Sequence, residues 1–325
     1  MNRFLSASPS AETNPLHLQG DRATHRHTTD PRAAELHAAD PRAAELHAAD
    51  PRAAELHAAD PRAAQHRKAD PPTSLTVGRV VALWRYPVKS MGAEALEQIE
   101  VSWHGLAGDR RWAFVREGME RRGFPWLTIR ERPTMGHYRP SFAEPTKPDA
   151  SPTLVHTPSG GVFDVVDPAL AAELGDGVRV IKQDRGVFDT MPLSLLTTQT
   201  VAGLGALVGA ELEALRFRPN VLIEAVGDGA FPEDGWVGSV VRIGGLALRV
   251  DQRDRRCMVV NVDPATAERD PAVLRAIARE RQACLGVYGS TVRPGRVAVG
   301  DAVVLEGWRL DAGDAGDAGD AGDAG

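Results

Sequence analysis

The sequence predicts a mainly β protein with a few helices, flanked by two tails. Between about residues 73 and 308, short segments rich in β-branched and aromatic residues alternate with Gly, Pro and Asp. The segments before and after this region are repetitive and poor in large apolar residues. The chain has only two cysteines, which excludes a disulfide framework as the basis of the fold.

The N-terminal tail, residues 1–72, contains a ten-residue repeat, Asp-Pro-Arg-Ala-Ala-Glu-Leu-His-Ala-Ala. Copies start at Asp30, Asp40 and Asp50, and a degenerate copy starts at Asp60. Each Asp-Pro can begin a helical turn, but the next Pro follows before a stable length is reached. We therefore predict a disordered tail, and we attribute the regular histidine spacing to copying of the repeat. The C-terminal tail, residues 309–325, is predicted to be disordered because it consists mainly of Asp-Ala-Gly copies.

Short segments of strand-forming residues fill the central region, and two segments have helical spacing of apolar residues. In the first half we predict strands at Val77–Tyr86, Ala95–Val101, Arg111–Arg116, Leu127–Ile129, Leu154–His156, Gly161–Asp164 and Val178–Ile181. In the second half we predict strands at Asn220–Glu224, Val240–Ile243, Leu246–Val250, Met258–Asn261, Cys284–Tyr288, Arg296–Val299 and Ala302–Glu306. Helices are predicted at Pro192–Leu207 and Pro271–Arg281. Many short strands at this spacing favour a barrel or a sandwich.

Composition excludes several classes of function. The formal net charge is −6, with acidic and basic residues interspersed, which argues against a nucleic-acid-binding protein. No apolar run approaches the roughly 18 residues of a membrane span. The first ten residues lack the apolar region and cleavage site of a secretory signal, so a cytoplasmic location is expected.

Two groups of basic residues suit a phosphate. Lys89 and Ser90 follow the first predicted strand and offer a point charge and a hydroxyl donor. Arg110 lies in the turn Gly108–Trp112, where a guanidinium can hold a phosphate with two hydrogen bonds. The alternatives are an exposed Lys-Ser pair at a strand end and a surface ion pair with Asp109.

Two further segments place polar side chains where they can line a pocket. Arg218 and Asn220 flank a proline before an apolar strand, and such a pair can contact the edge of a heterocycle. Thr128 and Arg130 are expected on one strand face, with Ile129 opposite. The alternatives are a turn that needs Pro and Asn for its conformation and a solvated strand face.

Cys257 is the candidate reactive centre. It directly follows Arg255 and Arg256 and opens an apolar segment. Nearby positive charge favours the thiolate, the form that binds soft metals or attacks as a nucleophile. The alternative is a small buried hydrophobe, which is the commonest fate of a free cysteine. Cys284 has no charged neighbour, and we assign it that structural role.

Taken in order, these segments resemble the MOSC proteins with an N-terminal β-barrel domain, which are similar to the mitochondrial amidoxime-reducing component and its bacterial counterparts. The matching segments are Tyr86–Ser90, Gly108–Trp112, Thr128–Arg130, Asp189–Pro192, Phe217–Asn220, Arg256–Pro264 and the Gly-Asp turn at Gly300. The resemblance covers residues 75–308 and implies an N-terminal β-barrel-like domain at 73–185 packed on a MOSC β-barrel domain at 186–308.

The resemblance also implies a molybdenum cofactor, in which the dithiolene of a phosphorylated pterin (molybdopterin) holds molybdenum. By position, Cys257 matches the thiolate on the metal, and Lys89, Ser90 and Arg110 match residues around the phosphate. The matching pterin contacts are Thr190, Met191, Arg218 and Asn220, and Arg255 lies at a further cofactor contact. Met191 and Arg255 stand where relatives can carry smaller polar residues, so at Met191 only the backbone can donate.

The function implied is a molybdenum-cofactor-dependent oxidoreductase that reduces small N-hydroxylated compounds. Some bacterial relatives carry a ferredoxin-like domain with four cysteines, which this sequence lacks, so a separate electron-donor protein of the ferredoxin or flavoprotein type is expected. The alternative function is sulfur transfer, with Cys257 carrying a persulfide.

Overall fold

The computed structural model describes residues 74–119 and 124–306, which lie in one compact unit. Both predicted tails, 1–72 and 309–325, lie outside the described residues. The first nine strands are β1 Leu75–Arg85, β2 Glu94–Leu96, β3 Gln98–Ser102, β4 Gly105–Leu106, β5 Trp112–Arg116, β6 Arg139–Phe142, β7 Thr153–His156, β8 Val162–Asp164 and β9 Val178–Lys182. The others are β10 Leu193–Thr197, β11 Val221–Ala225, β12 Val240–Ile243, β13 Leu246–Arg255, β14 Cys284–Arg293, β15 Gly295–Ala298 and β16 Ala302–Glu306.

A closed barrel of seven strands confirms the predicted mainly β fold. Its strands follow the order β11–β10–β14–β13–β12–β16–β1, and β1 closes the ring by pairing with β11. The β10–β11 pair is parallel, and the other pairs in the ring are antiparallel. Alternate residues along each strand point inward, so Val80, Leu83, Leu195, Val241 and Leu248 are buried in one apolar core.

Gly78 lies at the closure of the barrel, because β1 pairs with both β11 and β16 at this residue. A Cβ atom there would lie 2.5 Å from the carbonyl oxygen of Glu224 and 2.8 Å from Cγ2 of Ile223. We therefore expect Gly78→Ala to lower the free energy of unfolding by about 1–3 kcal/mol, the usual effect of overpacking. Urea unfolding measures this loss, and Gly229→Ala, where nothing lies within 4 Å, is the matched control. Equal stability of the two variants would contradict this account of the closure.

Three smaller sheets lie outside the barrel: β15–β3–β4, β5–β9 and β6–β7–β8. A second apolar cluster, which includes Val88, Phe114, Met135 and Leu170, contains residues of the sheets β5–β9 and β6–β7–β8, whereas the buried apolar residues of β15–β3–β4 belong to the barrel core. Strand pairing crosses the predicted boundary between residues 185 and 186, since β1 pairs with β11 and β16, and β3 pairs with β15. The division into domains 73–185 and 186–308 stays a prediction.

The three α-helices of the described residues are α1 Pro168–Leu174, α2 Thr198–Val208 and α3 Pro271–Arg281. The bounds predicted for α3 are confirmed. Asp270 caps this helix by accepting a hydrogen bond from the backbone N–H of Ala272 at 2.8 Å, and Pro271 follows as the first helical residue. Within residues 74–119 and 124–306, no helix has the length and apolar character needed to cross a membrane.

The helix predicted at Pro192–Leu207 is wrong in its first part. Leu193–Thr197 forms strand β10, all of whose residues are buried, and α2 begins only after Thr197. In a strand buried on both faces, apolar residues need not alternate with polar ones, so Leu193, Leu195 and Leu196 do not distinguish this strand from a helix. Thr197 marks the true start, because its side chain accepts a hydrogen bond from the backbone N–H of Thr200 at 3.1 Å.

Two short strand predictions are also wrong. Leu127–Ile129 follows an isolated bridge at Trp126 and then turns, since Thr128 Oγ1 donates a hydrogen bond to the Glu131 carboxylate at 2.6 Å. Met258–Asn261 forms a 3-10 helix, in which the N–H of Val260 bonds the carbonyl of Cys257. In both segments, local hydrogen bonds replace pairing with a neighbouring strand.

Candidate functional site

A cavity of about 420 Å³ opens beside the end of β13. All nine residues that the resemblance implied for the site line this cavity. They are Lys89, Ser90, Arg110, Thr190, Met191, Arg218, Asn220, Arg255 and Cys257. The structure therefore brings together residues from five separate segments of the chain, while their roles stay predictions.

Three of these residues have a left-handed backbone conformation, which residues other than glycine rarely adopt. Ser90, Arg110 and Arg218 have φ angles of 67°, 49° and 53°. Each such residue costs of order 1 kcal/mol or more, and residues of this kind cluster at ligand sites. All three of these left-handed residues line the same cavity.

Lys89 is buried at one side of the cavity. Its Nζ donates to the carbonyl oxygen of Val187 at 3.1 Å and forms an ion pair with Asp189. Burial lowers the pKa of Lys89, and the Asp189 carboxylate opposes this shift. A buried ammonium that is incompletely compensated favours a further anion in the cavity.

Arg110 is held by a buried network centred on Asp109. The Asp109 carboxylate forms an ion pair with Arg110 and accepts hydrogen bonds from the backbone N–H of Tyr86 at 2.7 Å and from Asn220 Nδ2 at 3.2 Å. Asn220 Nδ2 also donates to the Trp84 carbonyl, and Asn220 Oδ1 accepts from the backbone N–H of Ser194. Asn220 thus positions Asp109, which positions Arg110.

Arg216, Arg218 and Arg256 each have a buried guanidinium nitrogen without a hydrogen-bond acceptor, and of these three described residues only Arg218 forms no ion pair. Its guanidinium lies 4.3 Å from the centre of the Tyr86 ring, and Nη1 donates to the carbonyl of Met91 at 2.8 Å. Nη2 is buried and has no hydrogen-bond partner among the described residues. Burial lowers the pKa of Arg218 to about 10, although the Tyr86 hydroxyl partly opposes this shift. Such a group favours an anionic or strongly accepting ligand.

Cys257 is exposed at the mouth of the cavity. The Sγ atom accepts a hydrogen bond from Nη2 of Arg130 at 3.3 Å. Arg256, expected beside the thiol, instead turns into the protein, where it bonds the carbonyls of Phe217 and Leu285 at 2.8 Å each. The cation in contact with the sulfur is therefore 127 residues away in sequence.

From the sequence, Arg130 is predicted to line a pocket but not to contact the thiol, and Asp189 belongs to the matching segment Asp189–Pro192 without an assigned role. Asp189 pairs with Lys89 and lies 3.6 Å from Nη2 of Arg130, so it joins the predicted phosphate side to the thiol side. Asp254 and Tyr288 were missed altogether and also line the cavity. The charge of Asp189, directly before Thr190, was the one available indication.

The cavity lining is strongly positive although the chain has a net charge of −6. Its basic residues are Lys89, Arg110, Arg130, Arg216, Arg218, Arg255 and Arg256. Its acidic residues are Asp189 and Asp254. Such a concentration of positive charge in one concave surface attracts an anionic ligand.

Family models match two consecutive parts of the chain. The MOSC N-terminal beta barrel domain matches residues 77–160, and the MOSC domain matches residues 182–304. The mitochondrial amidoxime-reducing component 1 of Mus musculus is 23% identical over 292 residues, which cover 71% of this chain and 83% of the mouse protein. Its Homo sapiens counterpart is 29% identical over 134 residues, 37% of this chain and 38% of the human protein. Among solved structures, the YUAD protein from Bacillus subtilis has a TM-score of 0.41 and 13% identity, and the match covers 73% of this chain and 100% of that chain.

Proposed function

Because the chain belongs to the MOSC proteins that carry the N-terminal beta barrel domain, we propose that it is a molybdenum-cofactor-dependent reductase of small N-hydroxylated compounds. A molybdenum-cofactor-associated function is the family-level conclusion, and the relatives are named for reducing amidoximes. The reaction is R–NH–OH + 2 e⁻ + 2 H⁺ → R–NH₂ + H₂O. The proposal includes a cytoplasmic location and a separate electron-donor protein.

The observation that best supports this function is the buried guanidinium of Arg218. It has no carboxylate partner among the described ion pairs, and its buried Nη2 lacks an acceptor. A phosphorylated pterin is anionic and rich in acceptors, and so it fits this surplus of donors. The cavity volume of about 420 Å³ and the exposed thiol at its mouth also suit this group.

In this proposal different residues bind different parts of the cofactor. Lys89, Ser90 and Arg110 hold the phosphate, and Thr190, the Met191 backbone, Arg218 and Asn220 surround the pterin. The Asn220 side chain already makes three hydrogen bonds within the protein, so its main contribution is to hold Asp109.

Cys257 supplies the protein thiolate for the metal, and Arg130 fixes the orientation of its sulfur. When bound, the cofactor supplies the two-electron redox chemistry, while the protein positions substrate beside it. The open side of the cavity at Cys257 leaves room for a small substrate.

The proposed function is tested on the full chain produced with ample molybdate. We expect stoichiometric molybdenum and pterin, and reduction of benzamidoxime to benzamidine with reduced methyl viologen as electron donor. A cofactor-loaded protein that leaves benzamidoxime unchanged would contradict the reductase proposal. Absence of molybdenum and pterin would contradict the assignment of a molybdenum cofactor to this protein.

Sulfur transfer is the second candidate, and the exposure of Cys257 favours it, because a carrier sulfur must reach another protein. In this function a nucleophile on an acceptor protein attacks the outer sulfur of a Cys257 persulfide, the S–S bond breaks, and Cys257 leaves as the thiolate. Mass spectrometry of the untreated protein separates the two candidates. One extra sulfur atom on Cys257 without bound molybdenum supports transfer, and molybdenum with an unmodified chain supports reduction.

Arg218→Met should weaken cofactor binding more than any other substitution of a cavity arginine. Loss of a charge-assisted contact in a buried site costs about 2–5 kcal/mol, a fall in affinity of roughly 30-fold or more. Pterin content per protein measures the effect. The matched control is Arg216→Met, since Arg216 lines the same cavity but is already paired with Asp263 at 2.5 Å.

The cofactor-free Arg218→Met protein should be at least as stable toward urea as the parent chain, because the substitution removes a buried charge without an ionic partner. Equal pterin content in the two arginine variants would contradict the assignment of Arg218.

A further inference from the structure

Arg255 differs from the other basic residues of the cavity in having no partner. The other basic side chains reach a carboxylate, a carbonyl, a thiol or an aromatic ring, in the contacts Lys89–Asp189, Arg110–Asp109, Arg130–Cys257, Arg216–Asp263, Arg218–Tyr86 and Arg256–Asp254. Within residues 74–119 and 124–306, the Arg255 side chain has no hydrogen bond or ion pair. Its charge is therefore available to a ligand.

The position of Arg255 puts this free charge at the mouth of the cavity. Arg255 is the last residue of β13, two positions before Cys257, and its side chain is exposed. The predicted phosphate contacts are instead buried or half-buried residues, such as Lys89 and Arg110. The exposed guanidinium thus faces the side from which a substrate enters.

The remaining surface at the mouth suits a flat, partly apolar molecule. Phe124 and Phe188 line the cavity, and the guanidinium of Arg130 lies 4.8 Å from the centre of the Phe124 ring. Met258, directly after Cys257, has 42% of its surface exposed. Aromatic rings and a thioether offer contact area, while a guanidinium offers two parallel hydrogen bonds to a carboxylate or phosphate.

We propose that Arg255 makes the enzyme selective for N-hydroxylated substrates that carry an anionic group, a carboxylate or a phosphate. The inference rests on the proposed reductase function. Arg255 pairs with the anionic group, which directs the N–O bond toward the neighbouring Cys257. The positive mouth attracts such substrates from solution and repels amidine products that lack the acid group, since amidines are cations at neutral pH.

The test compares four amidoximes with the same reacting group: benzamidoxime and its 4-carboxy, 4-phosphono and 4-trimethylammonio derivatives. With the loaded full chain and reduced methyl viologen, kcat/KM for at least one anionic derivative should exceed that for benzamidoxime on the order of ten-fold. The cationic derivative should be the poorest substrate. The preference should shrink in 1 M NaCl, where charges are screened beyond about 3 Å.

The ratio of kcat/KM for two substrates, measured on one preparation, does not depend on how much of the protein holds the cofactor. The anionic-to-neutral ratio should fall to about one in Arg255→Ala and should invert in Arg255→Glu. Arg279→Ala is the matched control, because Arg279 is an exposed arginine on α3 with 80% of its side chain accessible. This control should keep the parent ratio.

A binding measurement separates this inference from the proposed function. Calorimetry with 4-carboxybenzamidine, which has the acid group but no N–O bond, should show binding that Arg255→Ala weakens and Arg279→Ala does not. If neutral benzamidoxime is reduced but neither anionic derivative is preferred, the role of Arg255 is overturned and the reductase function stands. If no amidoxime is reduced, the reductase function fails, and unchanged binding in Arg255→Ala would overturn the Arg255 assignment as well.

Discussion

Replacing Cys257 by alanine should remove amidoxime reduction and leave the fold intact. Substitutions around the immediate ligands of a metal commonly cost 10–100-fold in affinity or activity, so loss of the only predicted protein ligand should cost at least about 100-fold. The exposed side chain adds little to the core, so urea unfolding of the cofactor-free protein should be nearly unchanged. Molybdenum content and benzamidoxime reduction are the measurements.

Cys284→Ala is the matched control for Cys257. Cys284 opens β14, is half-buried, and its sulfur lies 3.6 Å from the carbonyl oxygen of Gln282. This variant should keep both molybdenum and activity. Full activity of the Cys257→Ala protein would show that the thiol is not needed for reduction, and identical behaviour of the two variants would contradict the assignment of the reactive centre.

The parts of the fold that the sequence predicts correctly have strong local determinants. The Asp-Pro pair at Asp270 begins α3, and the left-handed residue Gln282 ends it, so a short range of residues defines the helix. Thr197 caps α2, but the residues before it do not distinguish strand β10 from a helix, because the apolar residues from Leu193 onward fit either period. Closure of the barrel depends on β1 meeting β11, which lies about 140 residues further along the chain and follows from no local pattern.

At the site, too, the sequence predicts which residues are involved but not how they are arranged in space. Ordered motifs identified nine residues that line one cavity. They did not reveal that Arg256 turns inward while Arg130 contacts the thiol, since neighbours in sequence need not be neighbours in space. Nor did they reveal the left-handed conformations of Ser90 and Arg110, because glycine is the residue that usually marks them.

The largest expected effect on stability belongs to Asp109→Asn. The Asp109 carboxylate is buried and accepts hydrogen bonds from Arg110, Asn220 and the backbone of Tyr86. Breaking a buried pair by removing one partner leaves an uncompensated charge, here that of Arg110, and costs about 3–5 kcal/mol. In addition, the asparagine NH₂ group replaces one acceptor oxygen, so a donor that was bonded to the carboxylate faces another donor. Urea unfolding of the cofactor-free protein measures the loss.

Glu224→Gln is the matched control, because it also replaces the carboxylate partner of an arginine. The pair here is Arg79–Glu224, at 2.6 Å. This pair is exposed, with 63% and 47% of the two side chains accessible, so its loss should cost at most about 1 kcal/mol. Similar small losses in both variants would mean that Arg110 finds another partner when Asp109 is replaced. A large loss of stability together with loss of bound pterin would indicate that one buried carboxylate both stabilises the junction of β1 with β11 and positions Arg110 for the cofactor phosphate.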